Sequence, residues 1–122
     1  SGVSLGRARV LLIGLAYKKN VSDIRESPSF KLMELIGKRG GTCDYHDPHV
    51  PVIPPTREHA AMAGRTSVTL EVAGVASYDA VLVATDHDAV DYALLAREAR
   101  LVVDTRNVFA RRGLAGDRIV KA

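Results

Sequence analysis

Arg9-Val-Leu-Leu-Ile-Gly14, followed by a charged loop over residues 14–26 and then Ser27-Pro28, is the stretch that decides the fold. An apolar run this short, closed by glycine, reads as a strand buried on both faces, the kind found in parallel sheets. Ser27 is a good helix N-cap, and proline is tolerated at the first helical position. Phe30, Leu32, Met33, Leu35 and Ile36 then form a broad apolar stripe; Lys38 and Arg39 suit the negative end of the helix dipole, and Gly40-Gly41 end the helix. A strand, a long loop and a helix in that order open a βαβ unit.

Further along, a second strand is predicted over 42–46, ending at Asp47-Pro48. Pro51, Pro54 and Pro55 make 49–65 rich in loops. A short strand is expected over 66–70, a short helix over 71–77 and a buried strand over 79–85. A helix over 89–100 follows, with Asp88 as the candidate N-cap, then a buried strand over 101–104 and a short last strand over 118–120. The alternation demands right-handed crossovers and helices on both faces of the sheet. The expected fold is α/β, a Rossmann-like three-layer sandwich with a mostly parallel sheet, and residues 1–122 make a single domain.

Composition narrows the function. Of 122 residues, 47% are hydrophobic and 25% charged, enough apolar surface for one core. Only 5% are aromatic and tryptophan is absent, which argues against stacking on single-stranded nucleic acid. The formal charge of +3 suits a phosphate-bearing ligand. The basic residues between Arg97 and Lys121 are scattered over a helix, a loop and a tail, so no nucleic-acid partner is expected. Cys43 is the only cysteine, so no internal disulfide can form, and a cytoplasmic location is expected. No membrane-spanning run or signal peptide is read. The chain starts Ser1-Gly2 and stops just after an apolar pair, which reads as a domain excised from a longer protein.

In such folds ligands sit beyond the C-terminal ends of the strands. Strand-to-helix loops usually run about 2–6 residues, so residues 14–26, carrying Lys18, Lys19, Asp23, Arg25 and Glu26, stand out as facing an anion. The fingerprint Gly-x-Gly-x-x-Gly is missing; Gly14 stands alone, so the loop is not a self-sufficient NAD site. Lys18 offers a mobile charge and Arg25 a fork for two phosphate oxygens. Solvated surface charge is the competing reading. Asp47 stands where a ribose-binding acid often sits, though a turn-forming Asp-Pro is the favoured reading. His46, Asp47 and His49 hint at a metal, but His59 and His87 lie in unrelated segments, and no metal site is expected. Arg106 falls at the same sheet edge as Lys18. Cys43, mid-strand with no adjacent base, reads as a small core residue.

Gly14-Leu-Ala-Tyr-Lys-Lys-Asn-Val-Ser-Asp-Ile-Arg-Glu-Ser-Pro28 resembles the start of the C-terminal domain of the UDP-glucose/GDP-mannose dehydrogenase family. Tyr45-His-Asp-Pro-His-Val-Pro51, Ala84-Thr-Asp-His87 and Val103-Asp-Thr-Arg-Asn107 match it in order and spacing, most like the branch that oxidises UDP-N-acetylhexosamines. The resemblance implies a UDP-sugar-binding domain of an NAD-dependent enzyme that oxidises a C6 hydroxyl to a carboxylate, a step of polysaccharide biosynthesis. It implies that Tyr17, Lys18 and Arg106 bind substrate, and that Arg25 reaches the NAD phosphates. Asp23 and Glu26 would hold the loop through local salt bridges. NAD would be bound mainly by a domain this chain lacks, and a central helical domain would make a homo-oligomer. The family's catalytic cysteine has no counterpart here, so no catalytic residue is assigned and the chain alone is expected to be inactive. The alternative is a stand-alone Rossmann-type nucleotide-binding or regulatory module.

Overall fold

The computed structural model describes residues 7–24, 27–57, 59–114 and 116–122. Strand β1 (Arg9–Ile13) lies inside the sheet, and its side chains feed two separate cores. Leu11 and Ile13 pack on one face with Val75, Val81, Leu95 and Phe109. Val10 and Leu12 pack on the other with Phe30, Met33, Ile36 and Tyr45. Successive residues of a strand point to opposite faces, so an unbroken apolar run is what a doubly covered strand needs.

β1 pairs in parallel with β2 (Thr42–His46) on one side and β3 (Ala80–Val83) on the other. β4 (Val102–Asp104) and β5 (Ile119–Lys121) extend the sheet, also in parallel, and the strand order is β2-β1-β3-β4-β5. Helix α1 (Pro28–Lys38) covers the face of Val10 and Leu12, and α2 (Val72–Ser77), α3 (Tyr92–Glu98) and α4 (Val108–Arg111) cover the other. This is the expected Rossmann-like three-layer sandwich, with every strand pair parallel.

α1 starts and stops where its sequence says. The Ser27 hydroxyl accepts the amide of Ser29, Pro28 opens the first turn and Lys38 lies in the last. Gly40, at φ +88, then lets the Gly41 amide reach back to the Ile36 carbonyl.

Two expectations are corrected. Residues 66–70 do not form a strand: Thr66 makes a single antiparallel bridge to Val52. Beyond it the chain runs along the outer edge of β2, where the Val68 amide donates to the Tyr45 carbonyl and Val68 and Leu70 pack onto the core below. Both are partly buried there without joining a ladder. The helix predicted over 89–100 is shorter, and its N-cap is Asp91, which accepts from the Leu94 amide at 3.1 Å; it is not Asp88. Asp88 is drawn instead toward Asn20 and the cations around it.

Candidate functional site

The strand order reverses direction between β1 and β3, and open α/β sheets bind ligands in the crevice beyond that reversal. Here the crevice floor is occupied by the chain itself. Gly14 adopts φ +90 and lies so close to Thr85 that an added Cβ would stand 2.4 Å from the threonine Cβ and 2.6 Å from its carbonyl oxygen. The Thr85 hydroxyl donates to the Ala16 carbonyl at 2.8 Å. The loop after β1 therefore rests directly on the loop after β3.

Beneath them lies a buried carboxylate. Asp47, at the end of β2, is fully buried, and its Oδ2 accepts the amides of Leu15 at 2.7 Å and Ala16 at 2.9 Å and the Nε2 of His87 at 2.9 Å. Its Oδ1 accepts the His49 amide at 2.8 Å, closing the turn at Pro48. Burial alone would push the Asp47 carboxyl up; the bonds from His87, Ala16, His49 and Leu15 outweigh it and hold it below the ordinary value of 3.8. Asp47 is thus a latch for the loop after β1. The favoured turn is present, and with the carboxylate surrounded by these donors, Asp47 is not exposed for a ribose.

His87 is equally buried, and its Nδ1 accepts the Asn20 amide at 2.7 Å. That bond requires a lone pair on Nδ1, so the ring proton sits on Nε2 and points at Asp47. The His87 ring packs on that of His49 with centroids 4.6 Å apart. The histidine set aside as lying in an unrelated segment is therefore the partner of Asp47. Both its nitrogens are engaged, and no cluster among the described residues has the three ligands a metal needs.

Backbone accounting defines what the loop can offer a ligand. The amides of Leu15 and Ala16 go to Asp47, that of Tyr17 to the Asp23 carbonyl at 2.6 Å, and that of Asn20 to His87. A glycine-rich cradle does the reverse and turns successive N–H groups toward phosphate. The described residues therefore do not fit a dinucleotide cradle. What this loop presents is side chains. Tyr17 is 51% exposed. Lys18 is exposed and makes no ion pair among the described residues. Lys19, by contrast, is paired with Asp88.

Arg106 stands on the loop after β4. Its Nε donates to the Ala84 carbonyl at 2.8 Å, and its amide is held by the buried Asp104 at 3.0 Å. The Ala84–Thr85 corner thus lies between Arg106 on one side and Ala16-Tyr17 on the other, bringing three of the expected site residues, Tyr17, Lys18 and Arg106, to one sheet edge. Arg25 and Glu26 lie outside the described residues. The acidic loop after β3 restrains the neighbouring cations: Asp86 pairs with Arg111 at 2.7 Å, and Asp88 with Lys19 and Arg112. Cys43 is buried and its thiol is pushed up to about 11 by desolvation, as fits a core residue.

A parallel sheet whose reversal point is overlaid by a latched loop, with Tyr17 and Lys18 on that loop and Arg106 on the loop after β4 at the same edge, defines a Rossmann-like domain. The model of the UDP-glucose/GDP-mannose dehydrogenase family, UDP binding domain, matches residues 11–111, and the chain belongs to that family. Among curated relatives it is 29% identical over 108 residues to an NDP-N-acetyl-D-galactosaminuronic acid dehydrogenase of Ralstonia nicotianae, covering 87% of this chain and 24% of the relative. A UDP-N-acetyl-D-mannosamine dehydrogenase of Methanococcus maripaludis is 26% identical over 114 residues, with the same coverage of each. The chain thus spans about a quarter of the length of these relatives. The solved NDP-N-acetyl-D-galactosaminuronic acid dehydrogenase of Methanosarcina mazei shares the fold with a TM-score of 0.70 at 24% identity, over 99% of this chain and 25% of that one. The UDP-D-ManNAc dehydrogenase of Pyrococcus horikoshii gives 0.68 at 23% identity, over 98% and 26%.

Proposed function

We propose that this chain is the nucleotide-sugar-binding domain of an NAD-dependent dehydrogenase that oxidises the C6 hydroxyl of a UDP-linked sugar to a carboxylate. The observation that carries this reading is the inverted loop after β1, with its amides turned into the fold and the side chains of Tyr17 and Lys18 turned out. Such a loop adds point charge and a ring to a ligand held across a cleft, and leaves the pyrophosphate cradle to another domain. Lys18 would meet the sugar nucleotide with Tyr17 beside it, Arg106 would close the pocket from the β4 side, and Arg25 would reach the NAD phosphates. When bound, NAD supplies the hydride acceptor; no residue of this chain is assigned to the chemical step. The similarity to enzymes acting on N-acetylated amino sugars favours a UDP-N-acetylhexosamine as substrate. The relatives' greater length favours this reading over a stand-alone module, and leaves room for the NAD-binding and helical, oligomer-forming parts of a cytoplasmic enzyme.

The test is steady-state kinetics of the intact polypeptide with UDP-N-acetylhexosamines, UDP-glucose and GDP-mannose. Lys18→Ala is expected to lower kcat/KM for the sugar nucleotide at least about tenfold, the loss of one charge-assisted contact, with an unchanged Tm. Arg25→Ala is expected to raise mainly the KM for NAD. Wild-type kinetics in Lys18→Ala would remove that residue from the site, and absence of turnover with every nucleotide sugar would refute the assignment.

A further inference from the structure

We infer that His87 is a positioning residue for the ligand-facing side chains of the loop after β1, acting through the Asn20 amide, with Asp47 accepting from the other ring nitrogen. This rests on the proposed nucleotide-sugar site. The exposed span Tyr17-Lys18-Lys19 has an anchor at each end. Upstream, the amides of Leu15 and Ala16 are fixed on Asp47 Oδ2. Downstream, the Asn20 amide is fixed on His87 Nδ1 at 2.7 Å. The two anchors are joined by one buried hydrogen bond, His87 Nε2 to Asp47 Oδ2 at 2.9 Å.

Each part of the arrangement has a purpose that the others explain. Asn20 has φ +61, a left-handed conformation that turns the chain back after Lys19. Its side chain exchanges two further hydrogen bonds with Asp88, at 2.7 and 2.9 Å. The ring is fully buried with both nitrogens hydrogen-bonded and packs against His49 at a tilt of 50°, while Tyr92 Oη holds the residue's backbone carbonyl at 2.7 Å. Of the common side chains, only imidazole places an acceptor and a donor at these two separations on one rigid ring. Apolar filling of the same space would leave the Asn20 amide without its partner and Lys18 without a fixed origin.

The geometry yields a split between two near-isosteric substitutions. In His87→Asn the amide oxygen stands close to the place of Nδ1, so the Asn20 anchor persists and the Asp47 contact is lost. In His87→Gln the amide nitrogen stands close to the place of Nε2, so Asp47 keeps its donor and Asn20 loses its acceptor. Both variants are to be made in the intact polypeptide and followed by kinetics, thermal denaturation and hydrogen exchange of the peptide spanning residues 17–24.

His87→Gln is expected to exchange about tenfold faster in that peptide, the effect of one lost hydrogen bond. It is also expected to raise KM for the nucleotide sugar about tenfold, with kcat within about threefold of wild type, the signature of lost ligand positioning. His87→Asn is expected to stay within about threefold of wild type in both measurements. Equal losses in the two variants that track Tm would overturn the inference in favour of a purely structural histidine. So would fast exchange in His87→Gln with an unchanged KM. If the wild-type enzyme accepts no nucleotide sugar, the proposed function fails by itself. The exchange arm then decides on the anchor: selective deprotection in His87→Gln supports it, and equal protection in both variants overturns it.

Discussion

Replacing Asp47 by asparagine keeps the shape of the side chain and removes what the latch depends on. Four donors converge on the carboxylate: the amides of Leu15 and Ala16 and the Nε2 of His87 on Oδ2, and the amide of His49 on Oδ1, all within 2.9 Å. An asparagine has one oxygen. Directed at the first three donors, it sets its NH2 group against the His49 N–H; flipped, it sets it against all three. Either way a buried donor loses its partner, at about 1–3 kcal/mol, and the remaining bonds lose the assistance of charge. Relief from burying a charge offsets part of this. The net loss is about 3 kcal/mol, which for a domain of this size lowers Tm by roughly 10 °C. Urea and thermal denaturation followed by circular dichroism measure it. The pH dependence supplies a second reading. Because Asp47 titrates below 3.8 in the folded chain, its contribution is fully present above that value and is lost as pH falls through the folded pKa. The stability gap between wild type and Asp47→Asn should therefore be constant from pH 7 to about 5 and narrow below 3.8. A loss under about 1 kcal/mol at neutral pH, or a gap that widens in acid, would refute the latch.

Two more predictions concern packing. Gly14→Ala places a methyl group 2.4 Å from the Thr85 Cβ and 2.6 Å from its carbonyl in a left-handed backbone conformation, so it should destabilise by at least about 2 kcal/mol in urea titrations; a neutral variant would show that the two loops are not in contact. Cys43, with its thiol pushed up to about 11 and its side chain buried, should resist thiol reagents at pH 8 in the folded protein and react once the chain is unfolded; rapid labelling of the native state would contradict its core placement.

The fold was legible in the sequence because its signals are local. The doubly buried run of β1 and the Ser27-Pro28 cap are each contained in a few residues, and the structure places both elements where those residues say. Errors arose where a local signal had a non-local cause. Val68 and Leu70 fall in the expected strand over 66–70 but pack onto the core without joining a ladder, and Asp88 looked like a cap while its carboxylate is committed to Asn20, 68 residues away. The expected site residues divide in the same way. Lys18 and Arg106 could be picked out because each follows a strand, and Tyr17 through the family resemblance. The roles of Asp47 and His87 could not, since they are 40 residues apart and their chemistry exists only after β1 has been paired with both β2 and β3.

The missing glycines of the first loop acquire a physical meaning from these contacts. A nucleotide cradle needs glycine so that backbone amides can approach phosphate unshielded. Here the amides of Leu15, Ala16, Tyr17 and Asn20 are bonded inside the fold, so glycine would add only chain entropy there, and under the proposed function the side chains carry the recognition. The one glycine retained, Gly14, is the one whose Cβ would strike Thr85. The same economy explains the charge pattern. The carboxylates of Asp86 and Asp88 hold Arg111, Arg112 and Lys19 in place around the edge, while Lys18 is left without an ion pair among the described residues. Under the proposed function, a cation left unpaired beside restrained neighbours is available to an incoming anion, and the latch beneath it fixes the backbone from which that side chain extends.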